Sequence, residues 1–175
     1  MRNNKQKGFS LIELLIVVAI ILIIAAIAIP NLLRSKMAAN EASAVAALRT
    51  LNTTEILYST NCNSLSTDLT SLGPDAGGTG IAPACVTGDD LVDAVMAGAI
   101  TTAPTNGTPT SFTKSGYIFT FAPGAAAEPN STYTITAVPV SVGGSGIRGF
   151  FTDQTGVIHA NASGSVAPAA TDPPL

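Results

Sequence analysis

The sequence predicts an α+β protein in which one long N-terminal α-helix packs against an antiparallel sheet of about four strands. Its first half should span a membrane and its second half should be amphipathic. Three observations carry this. No charged side chain occurs from Leu14 to Leu33, a run of 20 residues. At 1.5 Å per helical residue that covers a hydrocarbon core of about 30 Å. Beyond it, apolar residues recur at helical spacing to about residue 60, and late segments alternate apolar with polar at strand period. The predicted organisation is a short leader at 1–8 and a helix at 9–60, with 9–30 as its membrane or core part. A globular head follows at 61–160 and a loosely held tail at 161–175.

The leading segment is basic, with Arg2, Lys5 and Lys7 ahead of the apolar run, which predicts a cytoplasmic N-terminus and an exported C-terminal part. Glu13 stands at the lip of the run. A carboxylate there costs several kcal/mol when desolvated unless something neutralises it, and the apolar run supplies no basic side chain. A secretory signal cleaved after Ala28, where Ala26-Ile27-Ala28 is small-x-small, would give a soluble binding domain instead. Against that reading, the run exceeds the usual 7–15 residues of a signal core and the helical pattern does not stop there. Leu33, Met37, Ala44, Leu48, Leu51 and Tyr58 follow at steps of 4, 7, 4, 3 and 7. They form one stripe, with Asn40, Glu41, Arg49, Asn52 and Glu55 expected on much of the remaining surface. Pro30 lies inside the helix, where its missing N–H predicts a kink.

Without the three leading basic residues, five basic residues face eleven acidic ones, a formal −6. No basic cluster remains in the exported part, so no nucleic-acid footprint is predicted. Cys62 and Cys85 both follow the apolar run. In a translocated domain such a pair most often forms a disulfide, here closing a loop of 24 residues, worth about 3 kcal/mol in the chain-entropy model. Two buried thiols are the alternative. Two cysteines and one histidine cannot fill a tetrahedral metal shell.

In the head, the helix should fray near Thr60-Asn61-Cys62-Asn63, followed by a loop containing Gly73-Pro74-Asp75-Ala76-Gly77-Gly78. Thr87-Gly88-Asp89-Asp90 resembles a helix start, with Leu91, Val92, Val95 and Met96 as the apolar face of a short helix at about 89–97. Asp89, Asp90 and Asp93 can be read as calcium ligands, but as charges at a helix N-terminus they need no ion. Strands are expected at Tyr117–Phe121, Tyr133–Val138, Ile147–Phe151 and Gly156–Ala160, the last two joined by a turn over Thr152–Gly156. His159, the single histidine, has no nucleophile and base grouped with it in sequence. No catalytic residue, cofactor or metal is expected, and the reading is not of an enzyme. The aromatic residues of the strands sit where a core needs them.

The stretch Lys7-Gly8-Phe9-Ser10-Leu11-Ile12-Glu13-Leu14-Leu15-Ile16-Val17-Val18, continued by Ala25-Ala26-Ile27-Ala28-Ile29-Pro30, resembles the N-terminal signature of type IV pilins and pseudopilins. The resemblance covers roughly the first 35 residues. It implies cleavage between Gly8 and Phe9 by a prepilin peptidase and N-methylation of the new terminus at Phe9. It also implies pairing of Glu13 with an α-amine at Phe9 during assembly, and bending or melting at Pro30 on packing. Cleavage would remove all three leading basic side chains and create that amine. The implied function is a structural pilus subunit for adhesion, motility or DNA uptake. Its partners would be further copies of itself in a helical filament, the peptidase, an assembly platform and a cytoplasmic assembly ATPase. The precursor would sit in the inner membrane with a periplasmic head, and the assembled filament outside the cell. A pseudopilin of a type II secretion system is the alternative within the resemblance. Major pseudopilins usually carry an aromatic-rich Asp-Pro-Trp-Gly-type motif and a calcium loop in the head, and this chain has no Trp and no such motif.

Overall fold

The structure, a computed structural model, describes residues 9–66, 69–73, 91–93, 95–96, 110–124, 130–164 and 168–175. Helix α1 is Leu11–Cys62, with Pro30 inside it and no interruption at that residue. The chain divides into two compact units, Met1–Lys36 and Met37–Leu175.

In the first unit the described residues are the start of α1 and the two residues before it. Every large apolar side chain from Phe9 to Leu33 is exposed, between 43% and 79%. Among the described residues none covers this apolar surface.

The second unit is built on a five-stranded antiparallel meander: β1 Thr110–Lys114, β2 Tyr117–Pro123, β3 Tyr133–Pro139, β4 Gly149–Asp153 and β5 Ile158–Asn161, in that spatial order. Alternation puts Tyr117, Phe119 and Phe121 of β2 and Tyr133, Ile135 and Ala137 of β3 on the buried face. Register aligns Phe119 with Ala137, Phe121 with Ile135, and Ala137 with Phe150. Across β2, β3 and β4 these direct register pairs set a ring against a small or aliphatic partner, while rings also meet one another elsewhere on the face. Phe112 of β1 stacks on Phe119 with ring centroids 4.6 Å apart, and Phe121 lies 5.9 Å from Tyr133. The core is completed by Ala44, Ala47, Leu48, Leu51 and Tyr58 of α1, with Leu69 and Leu72 from a 3-10 turn at Leu69–Leu72.

Strand β1 is a fifth strand where about four were expected. Thr110-Ser111-Phe112-Thr113-Lys114 offers a single apolar residue, so alternation alone gives little signal. The turn after it is legible: Ser115 and Gly116 both have positive φ, 49° and 73°, as a two-residue hairpin of matching twist requires. The β4–β5 turn sits where the sequence predicts it. Gly156 takes φ 73° and donates its N–H to the Asp153 carbonyl at 2.9 Å, and the Asp153 carboxylate accepts from Thr155 N.

Three expectations are corrected. Asn52 and Glu55, assigned to the polar surface of the helix, are buried, at 6% and 0% exposure. They survive there because each is met by polar groups. Asn52 donates to Thr152 Oγ1 at 2.9 Å and accepts from the Tyr133 hydroxyl at 3.1 Å. Glu55 accepts from Ser66 N at 3.0 Å and from the Ser66 hydroxyl. Of the short helix expected at 89–97, the described residues Leu91–Asp93, Val95 and Met96 form bends and a turn, with Val92 and Met96 still buried. Asp93 uses its carboxylate on Met96 N and on Lys114 at 2.9 Å, which fixes a turn rather than a helix start. The tail is not loose. Residues 168–175 return along β5, where Ala160 N donates to Pro173 O and Leu175 N to Ile158 O, both at 2.9 Å.

Leu51, fully buried between helix and sheet, reports on this packing. Leu51→Ala is expected to destabilise the head by about 2–5 kcal/mol. Denaturant unfolding of the full chain in detergent micelles, followed by near-ultraviolet dichroism, measures it as a lowered midpoint with unchanged slope.

Candidate functional site

The chemistry-bearing residues at the start of the chain are Phe9, Ser10 and Glu13. Ser10 is the residue before the helix and Glu13 the third within it. The Glu13 carboxylate turns back to accept the Ser10 backbone N–H at 2.9 Å, and Ser10 O accepts Leu14 N at 3.3 Å. Ser-x-x-Glu ahead of an apolar run is a capping-box pattern, with the Glu satisfying a donor that the first turn leaves open. The carboxylate is also on the side favoured by the helix dipole. This cap is readable in the sequence, and the reading above did not extract it. Glu13 therefore has a local task in the single chain, and its other oxygen and remaining lone pairs are available to a stronger donor. Phe9 precedes the cap with its ring 79% exposed. Gly8, on the far side of the expected scissile bond, lies outside the described residues.

Elsewhere the predicted site residues are dispersed. Cys62, at the last position of α1, is half-buried against the core, and Cys85 lies outside the described residues. So do Asp89 and Asp90, whereas Asp93 is taken up by Lys114. Among the described residues no group of three or more His, Cys, Asp or Glu side chains could hold a metal ion. His159 sits on β5 with its Nδ1 2.6 Å from the Asp172 carbonyl oxygen. Its ring meets that of Phe151 edge-on at 6.2 Å.

Sequence reasoning also missed a clamp at the start of the head. Glu41 accepts from Ile147 N at 3.0 Å, from Arg148 N at 3.2 Å and from Arg148 Nε at 2.9 Å. Asn40 beside it donates to Ser145 O at 2.8 Å. One turn of α1 thereby fastens the whole β3–β4 loop. Gly146 belongs to the same loop because a Cβ there would lie 2.1 Å from the Tyr117 hydroxyl, which donates to Arg148 O at 2.8 Å. Burial pushes the Glu41 carboxyl up, but the hydrogen bonds from Ile147 and Arg148 outweigh it and hold it below the usual carboxylate value. Burial, helped by the Glu41 charge, pushes the Tyr117 phenol up to about 12. Burial likewise raises Tyr133, with the Glu55 and Asp153 charges adding to it. For Asp93, the bond from Lys114 is the main cause of a lowered value.

An exposed apolar helix headed by Phe-Ser-x-x-Glu is continued by a helix–sheet head, an α+β arrangement typical of pilins. Comparison with known proteins finds a motif and two relatives that share it. Residues 3–29 match the prokaryotic N-terminal methylation motif. Over 72 residues the chain is 44% identical to the type IV wide pilus major component PilA4 of Thermus thermophilus, covering 41% of this chain and 53% of that protein. Over 53 residues it is 47% identical to the type IV major pilin protein PilA of Myxococcus xanthus, covering 30% of this chain and 24% of that protein. The matches thus span about half and about a quarter of these relatives. No solved structure matches. The chain carries the N-terminal methylation motif of prokaryotic pilins, and these curated homologues are type IV major pilins.

The Glu41 clamp has a signed pH dependence. A carboxyl whose folded value is lowered adds stability above its unfolded value, and loses it as pH falls through the folded one. The thermal stability of the wild-type head should fall on acidification below about pH 4.5, the ordinary carboxyl value. Glu41→Gln should lose about 1–3 kcal/mol at neutral pH and show a shallower acid dependence. Melting curves of both chains between neutral pH and pH 3 measure this.

Proposed function

We propose that the chain is the structural subunit of a type IV pilus, made as a membrane-anchored precursor and polymerised through the first half of α1. The observation that carries the reading is the bare helix. Large apolar side chains stand exposed on all sides from Leu11 to Leu33, and they need either lipid or other copies of the same helix around them. The leader 1–8 would be removed by a prepilin peptidase between Gly8 and Phe9, and the Phe9 amine methylated. Monomethylation keeps that amine basic, so it stays a cation.

Glu13 is the register device in this account. Its cap on Ser10 uses a neutral backbone donor. A neighbouring subunit's Phe9 ammonium is a charged donor, and charge-assisted bonds of this kind are roughly twice as strong as neutral ones. A carboxylate drawn into a dry helix bundle needs such a partner. Subunits whose amine and carboxylate meet are therefore favoured over those slipped along the helix axis. Pro30, which removes one intrahelical donor, is the position at which α1 can bend or loosen as helices pack. Cys62 and Cys85 would form a disulfide that ties the end of α1 to the following loop. The assembly ATPase and platform would supply the work of drawing α1 out of lipid, whose contacts helix–helix packing must replace.

The N-terminal mass of the protein in filaments sheared from whole cells tests the reading. A dominant chain beginning at methylated Phe9 is expected. The same chain confined to the cell envelope would indicate a pseudopilin rod, and a soluble chain beginning at Ile29 would overturn the proposal. For Glu13, substitution by Ala is expected to leave membrane insertion and leader cleavage intact while reducing sheared filaments at least tenfold. Abundant filaments of normal diameter from that variant would remove Glu13 from the assembly mechanism.

A further inference from the structure

A sheet edge is a row of unpaired N–H and C=O groups, open to strand addition from another molecule. In this head the edge strand β5 is covered by the last residues of the same chain. Pro174 stands opposite His159 in an antiparallel bridge. The bonds on either side of that pair, Ala160 N to Pro173 O and Leu175 N to Ile158 O, use one outward-facing N–H and one outward-facing carbonyl of β5. Between them, Pro174 turns its own backbone away from β5, toward the next position in the sheet. That is where a sixth strand would offer an N–H to a seventh, and proline has none.

The strap is fastened by side chains rather than by apolar packing alone. Asp172 accepts from Asn161 Nδ2 with both carboxylate oxygens, at 3.1 and 3.2 Å, and from Ala169 N at 2.8 Å. Its carbonyl oxygen receives His159 Nδ1 at 2.6 Å, so that nitrogen carries the ring hydrogen. Pro168, at the start of the strap, is buried, and it lies 3.4 Å from where a Cβ on Gly149 would be.

We propose that residues 168–175 are an edge guard: Asp172 holds the strap on β5, and Pro174 ends the hydrogen-bond ladder so that a second copy of the head cannot add to it. Exported heads held side by side at high local concentration would otherwise meet edge to edge. The guard directs them to associate by other surfaces, and it does so whether or not the chain polymerises through α1.

The test uses the full-length chain in detergent micelles at one chain per micelle. Light scattering reports association, and amide exchange is read residue by residue. A chain ending at residue 167 should self-associate while its Ile135 amide, central in the sheet, stays as protected as in wild type. The peptide Pro-Ala-Ala-Thr-Asp-Pro-Pro-Leu added in trans should reverse that association. A truncated chain with Ile135 protected and no more association than wild type overturns the proposal. Should truncation unfold the head, two point variants decide. Asp172→Ala should speed exchange at the Ala160 amide at least tenfold while leaving Ile135 unchanged. Pro174→Val, which restores the outward N–H, should raise association without speeding Ala160. Failure of both point variants to do so overturns it equally.

Discussion

The governing constraint in this molecule is a helix whose first half, among the described residues, leaves its large apolar side chains exposed. Burying one large aliphatic or aromatic side chain fully is worth about 1.5–3 kcal/mol, and more than a dozen such side chains stand exposed between Phe9 and Leu33. No rearrangement of a small polar head offsets that. In the proposed reading that surface is covered from outside, first by lipid and then by copies of itself. Glu13, the charge at its head, sets in the same reading how those copies align.

The second half of α1 solves a different problem with the same helix. From Met37 onward one stripe is apolar and docks on the sheet through Ala44, Leu48 and Leu51. Small residues let the helix come close and Leu fills the remaining gaps. Polar groups then fix its position along the sheet. Glu41 grips Ile147 and Arg148 near one end of this segment, Asn52 reaches Thr152 and Tyr133 further along, and Glu55 holds Ser66. A buried polar contact that is satisfied in only one arrangement discriminates against slipped ones even when its net energy is small. The same logic that assigns Glu13 to register between subunits assigns Asn52 and Glu55 to register within one.

Much of this was legible in the sequence, for identifiable reasons. The apolar run, the helical stripe and the strands containing Tyr117–Phe121 and Tyr133–Val138 are periodic over long windows, and they emerged where expected. The residues that escaped are those whose role depends on a distant partner. Asn52 and Glu55 read as surface because polar side chains on a helix are usually solvated, and nothing local reveals Thr152 or Ser66 across the fold. Strand β1 escaped because hydroxyl residues flank its single Phe, so only its Ser-Gly turn marks it. The tail escaped because prolines and small residues resemble a linker. Here Pro174, whose backbone faces away from β5, suits an outermost strand, where a missing N–H is no loss. The Ser10–Glu13 cap is different: its Ser-x-x-Glu pattern is local and legible in the sequence without any distant partner.

The central claim is that Glu13 exchanges a bond within its own first turn for an ammonium on a neighbouring subunit. Filaments grown from an equal mixture of two labelled subunits test it directly, one with 13C at the Glu carboxyls and the other with 15N at Phe. Solid-state NMR then detects a carboxyl-to-amine dipolar contact only between different subunits. A contact at hydrogen-bond range, about 3–4 Å between the labelled atoms once the intervening oxygen is counted, is the predicted result, lost in filaments carrying Glu13→Gln. A contact seen only when both labels are in the same subunit, or none at all, would contradict the account and leave Glu13 as a helix cap.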